Sequence, residues 1–408
     1  MKTKMKYLVI LADGLADQPI RDLNNQTPVM AAKTPNIDHL CSLSRLGTFK
    51  TVPDSLHPGS EVANMTVMGY DAEKYFNGRG VLEAAAMGVE LSDTDMAFRC
   101  NLVTITEDKI LNHSGGHISS EEAKELINVL NDKLGNENIK FYAGVSYRHL
   151  LVIKNGEGHL KCTPPHDVPG ALLKNVLPLP ADKDSENLSI LINELIIKSH
   201  EIIDNHPINQ KREKSGKPKA NSIWPWSPGY RPQMPTLNEL YGLESGAVIS
   251  AVDLIHGIGK YAGLKSIFVE GATGLFDTNY SGKAEAAINA LNEHDYVYLH
   301  IEASDEAGHE GDVALKIRTI EDIDKKVVKP VIEQLVTKRK DITIAFLPDH
   351  PTPCELRTHT RDAIPFMIYR PDDKSDNIME YNEITAINGS YGLLNGTDFM
   401  KILINGSL

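Results

Sequence analysis

Three apolar, strand-like runs in this chain each end in acidic and histidine residues, and that pattern constrains the fold more than any other feature. Tyr7-Leu8-Val9-Ile10-Leu11-Ala12 leads into Asp13. Tyr296-Val297-Tyr298-Leu299-His300-Ile301 leads into Asp305 and His309. Ile342-Thr343-Ile344-Ala345-Phe346-Leu347 leads into Asp349-His350, with His359 soon after. Continuous runs of β-branched and aromatic residues mark strands buried on both faces, as in parallel sheets. Open α/β sheets bind ligands at the carboxyl ends of their strands. Three distant segments therefore carry Asp and His to one sheet edge, and such a set reads as a metal site.

The spacing within the set refines that reading. Asp305 and His309 stand four apart, which puts both on one face of a helix or helical turn. Asp349 and His350 are adjacent, so an extended backbone sends them to different neighbours. Two ions a few ångströms apart could share such a set more readily than one. Mixed imidazole and carboxylate donors suit Mn and Zn better than Mg. Taken singly, a His is more often a core or surface residue and an Asp after a strand an N-cap. Their coincidence at three strand ends favours the metal.

A fourth segment, Pro58-Gly59-Ser60-Glu61-Val62-Ala63-Asn64, offers a hydroxyl. Pro-Gly turns the chain, and Val62, Met65, Val67 and Met68 then follow a helical pattern. A helix N-terminus presents free N–H groups and a positive dipole end, which favour phosphate. Ser60 reads either as an N-cap with Glu61 in the first turn, or as a nucleophile whose hydroxyl pKa a metal lowers.

At 408 residues the chain suggests two domains rather than one. Strand–helix alternation at both ends flanks a stretch of different texture, with helical spacing over Glu121–Leu134 and Leu188–His200. The expected architecture is an α/β core from 1–116 and 244–408 with a mostly parallel sheet flanked by helices, interrupted by a smaller α+β domain at 117–243. The basic run from Lys211 to Lys219 reads as a solvated loop, or else as an anion-steering or hinge loop. Trp224 and Trp226 read as buried packing, with a hinge or a substrate wall as the other readings. A net charge of -13 argues against a nucleic-acid binder, although a local basic pocket could still take an anionic metabolite. The four cysteines are scattered without a C-x-x-C, which favours a reducing cytoplasm. The N-terminal apolar run is too short for a signal peptide or a membrane span.

The segments Ala12-Asp13-Gly14-Leu15-Ala16-Asp17, Lys33-Thr34-Pro35-Asn36-Ile37-Asp38, Pro58 to Asn64, Gly271-Ala272-Thr273-Gly274, Thr278-Asn279-Tyr280, Ala303 to His309 and Thr358-His359-Thr360 together resemble the archaeal-type cofactor-independent phosphoglycerate mutases of the alkaline phosphatase superfamily. The resemblance spans nearly the whole chain. It implies an alkaline-phosphatase-like core and a glycolytic enzyme that interconverts 3- and 2-phosphoglycerate. It implies that Asp305, His309 and His359 ligate one divalent ion and Asp13, Ser60, Asp349 and His350 another. Ser60 would be the phosphoryl-accepting nucleophile, without added bisphosphoglycerate. Substrate contacts are expected at His117 (in Ser114-Gly-Gly-His117), Lys260 (in Gly257-Ile-Gly-Lys260), Arg148 and Arg231, with the insertion closing over the core. Glu61 stands where relatives often carry Asp, which leaves the serine intact. Homoserine kinases of the same mutase-like group would share this machinery, and a non-catalytic metabolite-binding relative is the third reading.

Overall fold

The structure is a computed structural model that describes residues 4–407. The chain divides into two compact units, one formed by both chain ends and one running from Asn77 to Gln233.

The first unit is built on an eight-stranded sheet. Its strands are β1 (Lys6–Ala12), β2 (Arg45–Lys50), β3 (Gly246–Ile249), β4 (Lys265–Ile267), β5 (Tyr296–Ile301), β6 (Ile342–Leu347), β7 (Ile364–Tyr369) and β8 (Leu393–Asn395). They lie in the order β4-β3-β5-β1-β6-β7-β2-β8. All neighbouring pairs are parallel except those made by β7. The three apolar runs are thus adjacent, with β1 between β5 and β6. Ala12 pairs with Ile301 and Leu11 with Leu347, so the strands stop level with one another and release Asp13, Glu302 and Pro348 at one edge.

Both faces of these strands are covered, which is why they read as unbroken apolar runs. Leu8, Ile10, Val297, Leu299, Ile344 and Phe346 share one core cluster with residues of the helices Tyr280–Glu293 and Val313–Ile323. On the alternate side-chain face, the Tyr298 hydroxyl donates to Asn64 Oδ1 at 2.6 Å. That contact lays the helix Ser60–Val67 over the other side of the sheet.

The second unit holds a five-stranded antiparallel sheet around the long strand Met96–Thr106, which pairs with Lys109–Asn112, Arg148–Ile153 and Ser222–Tyr230; Ile139–Tyr142 extends it. The helices Ser120–Leu134 and Glu186–Ile203 supply Leu126, Ile127, Leu130, Ile192, Leu195 and Ile196 to its core, together with Trp224 and Trp226. Both tryptophans therefore take part in packing.

Two expectations need correction here. The second unit starts at Asn77 and ends at Gln233, not at 117 and 243. Met96–Thr106 is the strand on which the second sheet is assembled, so it cannot belong to the core. At the other end, Tyr70 and Tyr241 tie the segment after Met234 to the first unit through Tyr70 Oη–Pro235 O at 2.8 Å and Tyr241 Oη–Gly69 O at 2.7 Å. The basic run is not a solvated loop throughout: Pro207–Lys214 is a helix. Its Arg212 is buried, and the guanidinium donates to Gly115 O, Gly116 O, Pro218 O and Glu122. Among the described residues no helix is long and apolar enough to cross a membrane, and the four cysteines are free.

Candidate metal centre

The level strand ends bring the sequence-selected acids and histidines of the first unit together. Asp305 and His309 lie on the helix Ala303–Glu310 directly after β5. His309 Nε2 is 3.3 Å from Asp305 Oδ2 and 2.9 Å from His359 Nε2, and His359 Nε2 is 3.4 Å from Asp305 Oδ1. The next group is contiguous. His350 Nε2 lies 3.4 Å from Asp349 Oδ2, 3.6 Å from Asp13 Oδ1 and 3.2 Å from Ser60 Oγ. The rings of His350 and His359 stack with centroids 3.8 Å apart, which joins the two groups. Adjacent Asp349 and His350 were expected to diverge; instead they converge, because Asp349 accepts the His350 backbone N–H at 2.9 Å and folds back beside its neighbour.

Ser60 is the first residue of its helix, and Gly59 is the N-cap. The N-cap reading of Ser60 is thereby replaced: its hydroxyl is turned toward His350 rather than toward its own helix amides.

The supports of the site are buried and specific. Asn64, one turn along from Ser60, donates to Asp349 Oδ2 and to Ser60 O, both at 2.8 Å. Thr352 Oγ1 donates to Asp305 Oδ1 at 2.5 Å. Ser304 Oγ donates to Asp13 O at 2.6 Å. Gly14 donates its N–H to Asp349 Oδ1 at 3.1 Å and adopts φ +59°; a Cβ there would fall 2.5 Å from Asp305 Oδ1 and 2.7 Å from Thr352 Oγ1. Only glycine fits this left-handed, crowded position.

The electrostatics are those of a site that wants cations. Burial, then the neighbouring Asp349 and Asp305 carboxylates, push the Asp13 pKa well above the usual carboxylate range. Burial would also raise Asp305, but hydrogen bonds from His309 and His359 hold it well below its ordinary value. The hydrogen bond to Asp305 lifts His309 to about 9, against the effect of burial, while burial lowers His350. Three carboxylates packed this closely without a counter-charge repel. Asp13 Oδ1 is buried with no hydrogen-bond partner. The imidazole–imidazole and imidazole–carboxylate separations of 2.9–3.6 Å match the edges between ligands that each sit about 2.1 Å from one ion. The residues therefore fit divalent metal binding, in the groups Asp305–His309–His359, Asp13–Asp305–His350 and Asp13–His300–Asp349.

His300 and its partners were missed in the sequence. A histidine inside an apolar strand, followed two residues later by Glu302, was the available signal. Glu302 is buried against Lys283, with Nζ–Oε2 at 2.7 Å. Burial alone would raise the Glu302 pKa, but His300 and Lys283 hold it well below the ordinary range.

Three of the four remaining candidates belong to the second unit. Lys260 is exposed in the last turn of the helix Asp253–Tyr261 of the first unit. In the second unit His117 is exposed at φ +49° after two glycines, and it shares Tyr147 with exposed Arg148: the His117 and Tyr147 ring centroids are 6.4 Å apart and the Arg148 guanidinium is 5.9 Å from the Tyr147 ring. Arg231 is exposed just past the strand Ser222–Tyr230.

A profile of the 2,3-bisphosphoglycerate-independent phosphoglycerate mutase family matches residues 42–209. A Methanosarcina mazei protein of that name is 50% identical over 402 residues, covering 98% of this chain and 100% of the relative. A Geobacter sulfurreducens protein named as a probable member is 44% identical over 407 residues, covering 98% and 100%. Among solved structures, a protein from Pyrococcus horikoshii has a TM-score of 0.84 at 28% identity, with 98% of this chain and 97% of that one covered. A cofactor-independent phosphoglycerate mutase from Thermoplasma acidophilum shares the fold at a TM-score of 0.69 and 24% identity, with 99% and 100% covered.

Proposed function

The chain belongs to the 2,3-bisphosphoglycerate-independent phosphoglycerate mutase family, and we propose that it interconverts 3- and 2-phosphoglycerate by way of a phosphoserine on Ser60. The relatives' names favour this reaction over homoserine phosphorylation, and over a non-catalytic role. The observation that carries the mechanism is the Ser60 hydroxyl, which stands at a helix start and 3.2 Å from a histidine of the acid–imidazole cluster.

Asp305, His309 and His359 would hold one divalent ion and Asp13, Ser60, Asp349 and His350 the other. Mn or Zn suits these donors better than Mg. When bound, the ions lower the pKa of the serine hydroxyl and offset charge on the phosphoryl oxygens. The chain's own residues do the positioning. Asn64 fixes Asp349 and the Ser60 backbone, and the positive end of the Ser60 helix favours a phosphoryl group there. Ser60 Oγ forms the bond to phosphorus while the substrate's 3-oxygen leaves. The glycerate then presents its 2-hydroxyl, whose oxygen displaces Ser60 Oγ and receives the same phosphoryl group. Because Ser60 stores the group, no bisphosphoglycerate is needed. His117, Arg148, Arg231 and Lys260 supply donors for the substrate's carboxylate and phosphate. Water must be kept from the phosphoserine for transfer to outrun hydrolysis. The free cysteines fit action in the cytoplasm.

The test is turnover of 3-phosphoglycerate to 2-phosphoglycerate by the metal-loaded protein without added bisphosphoglycerate, run beside ATP-dependent phosphorylation of homoserine. Activity in the first assay alone is expected; activity in the second alone would replace the mutase reading.

A further inference from the structure

His300 lies outside the two ligand sets proposed for the reaction, yet it is fully buried at the carboxyl end of β5 and completes the Asp13–His300–Asp349 group. Its Nδ1 is 2.9 Å from Glu302 Oε1 and 3.1 Å from Ser250 Oγ. Ser250 spends its single proton on Glu302 Oε1 at 2.9 Å, and a carboxylate only accepts. The proton between His300 and Glu302 therefore sits on Nδ1. In the neutral form in which a histidine ligates a metal, that leaves the lone pair on Nε2, aimed into the cluster.

Nε2 lies 3.1 Å from Asp13 Oδ2 but makes no hydrogen bond. The carboxylate oxygen is close but off the line along which an N–H would point. Two acceptors held this way repel unless a cation joins them. An ion about 2.1 Å along the lone-pair axis of Nε2 would have its other ligands off that axis, at roughly 3 Å from Nε2. Asp13 and Asp349 stand there: one donor atom from each lies within 4.8 Å of the others and of His300. Ligating histidines characteristically give their other N–H to a carboxylate, which fixes the tautomer and ring orientation. Glu302 supplies that carboxylate. Lys283, itself fully buried, neutralises it through the 2.7 Å ion pair and also donates to His300 O at 3.2 Å.

We infer that His300 is a further imidazole ligand to the ion on the Asp13–Asp349 side, held in place by the Glu302–Lys283 pair. This rests on the reading that the cluster holds two divalent ions. The site would then present four imidazoles, from His300, His309, His350 and His359, rather than three.

The experiment loads the full-length metal-free protein with Co2+, counts the ions bound and counts the paramagnetically shifted, exchangeable imidazole N–H resonances by proton NMR. Two ions and four such resonances are expected. His300→Asn is the matching variant, because its amide N–H can still reach Glu302 while nothing replaces Nε2. It is expected to show three resonances and to bind one of its two ions more weakly by roughly 100-fold or more. Two ions with three resonances in the wild type would overturn the inference without touching the two-ion reading. So would a His300→Asn protein that keeps both ions at wild-type affinity, since a merely structural histidine predicts that result. Uptake of fewer than two ions by the wild type would overturn the two-ion reading, and this inference with it.

Discussion

Both sheets bury histidines, and the company each histidine keeps separates chemistry from packing. In the first unit His300 and His350 are buried beside Asp13, Asp349 and Glu302 at 2.9–3.6 Å. In the second unit His149 is equally buried, but no acid faces it: its Nδ1 accepts the Gly144 N–H at 3.1 Å, its Nε2 has no hydrogen-bond partner, and burial is the one cause that pushes its pKa down to about 3. Buried polar groups whose partner is the backbone stabilise a fold. Buried acids and imidazoles that face one another without protons to share need cations, and so mark a site.

Substitutions in the two units should separate along the same line. The largest effect belongs to Ser60→Ala, expected to lower mutase turnover by roughly 10⁴-fold or more while leaving thermal unfolding close to wild type; substantial turnover in that variant would remove Ser60 from the reaction. Next comes Lys283→Met, which strands Glu302 as a buried unpaired charge. A loss of about 3–5 kcal/mol in denaturant unfolding is expected, and an unchanged unfolding curve would mean that Glu302 is not the charged partner described here. Arg212→Ala, in the second unit, frees three backbone carbonyls and Glu122. Its expected cost is about 2–4 kcal/mol, and amide hydrogen exchange should rise around Gly115, Gly116 and Pro218 rather than at the ends of β1 and β6.

The smallest effect concerns acid. His149 is held neutral in the fold, while the unfolded chain takes up a proton near pH 6.5. The folded pKa is depressed, so its stabilisation is complete above about pH 6.5 and is lost progressively as pH falls toward 3. The loss amounts to about 2 kcal/mol by pH 5. Comparing unfolding of wild type and His149→Gln at pH 7 and pH 5 checks the sign: the variant should lose less on acidification, and an equal loss would mean that His149 is not the acid-sensitive group.

Much of the first unit was legible because burial on both faces leaves a local trace. Tyr296–Ile301 and Ile342–Leu347 coincide with β5 and β6, and β1 adds only Lys6 to the run Tyr7–Ala12. The metal-binding candidates at their ends were legible for the same reason. The start of the second unit was not. Met96–Thr106 pairs with strands as distant as Ser222–Tyr230, and such pairing leaves no signal in neighbouring residues. His300 was hidden by its setting, since one imidazole within an apolar strand looks like packing until Asp13, Glu302 and Lys283 converge on it. Asn64 was visible within the Ser60 segment, but its bond to Asp349 depends on how the helix lies across the sheet.

The central claim is that Ser60 carries the phosphoryl group. It is tested most directly by acid-quenching the metal-loaded enzyme during turnover of 3-phosphoglycerate and mapping phosphate by peptide mass spectrometry. Phosphate on the peptide containing Ser60, absent without substrate and absent in Ser60→Ala, is the expected result. An enzyme that turns over fully with that peptide unmodified throughout, or with phosphate on another residue, would contradict the account.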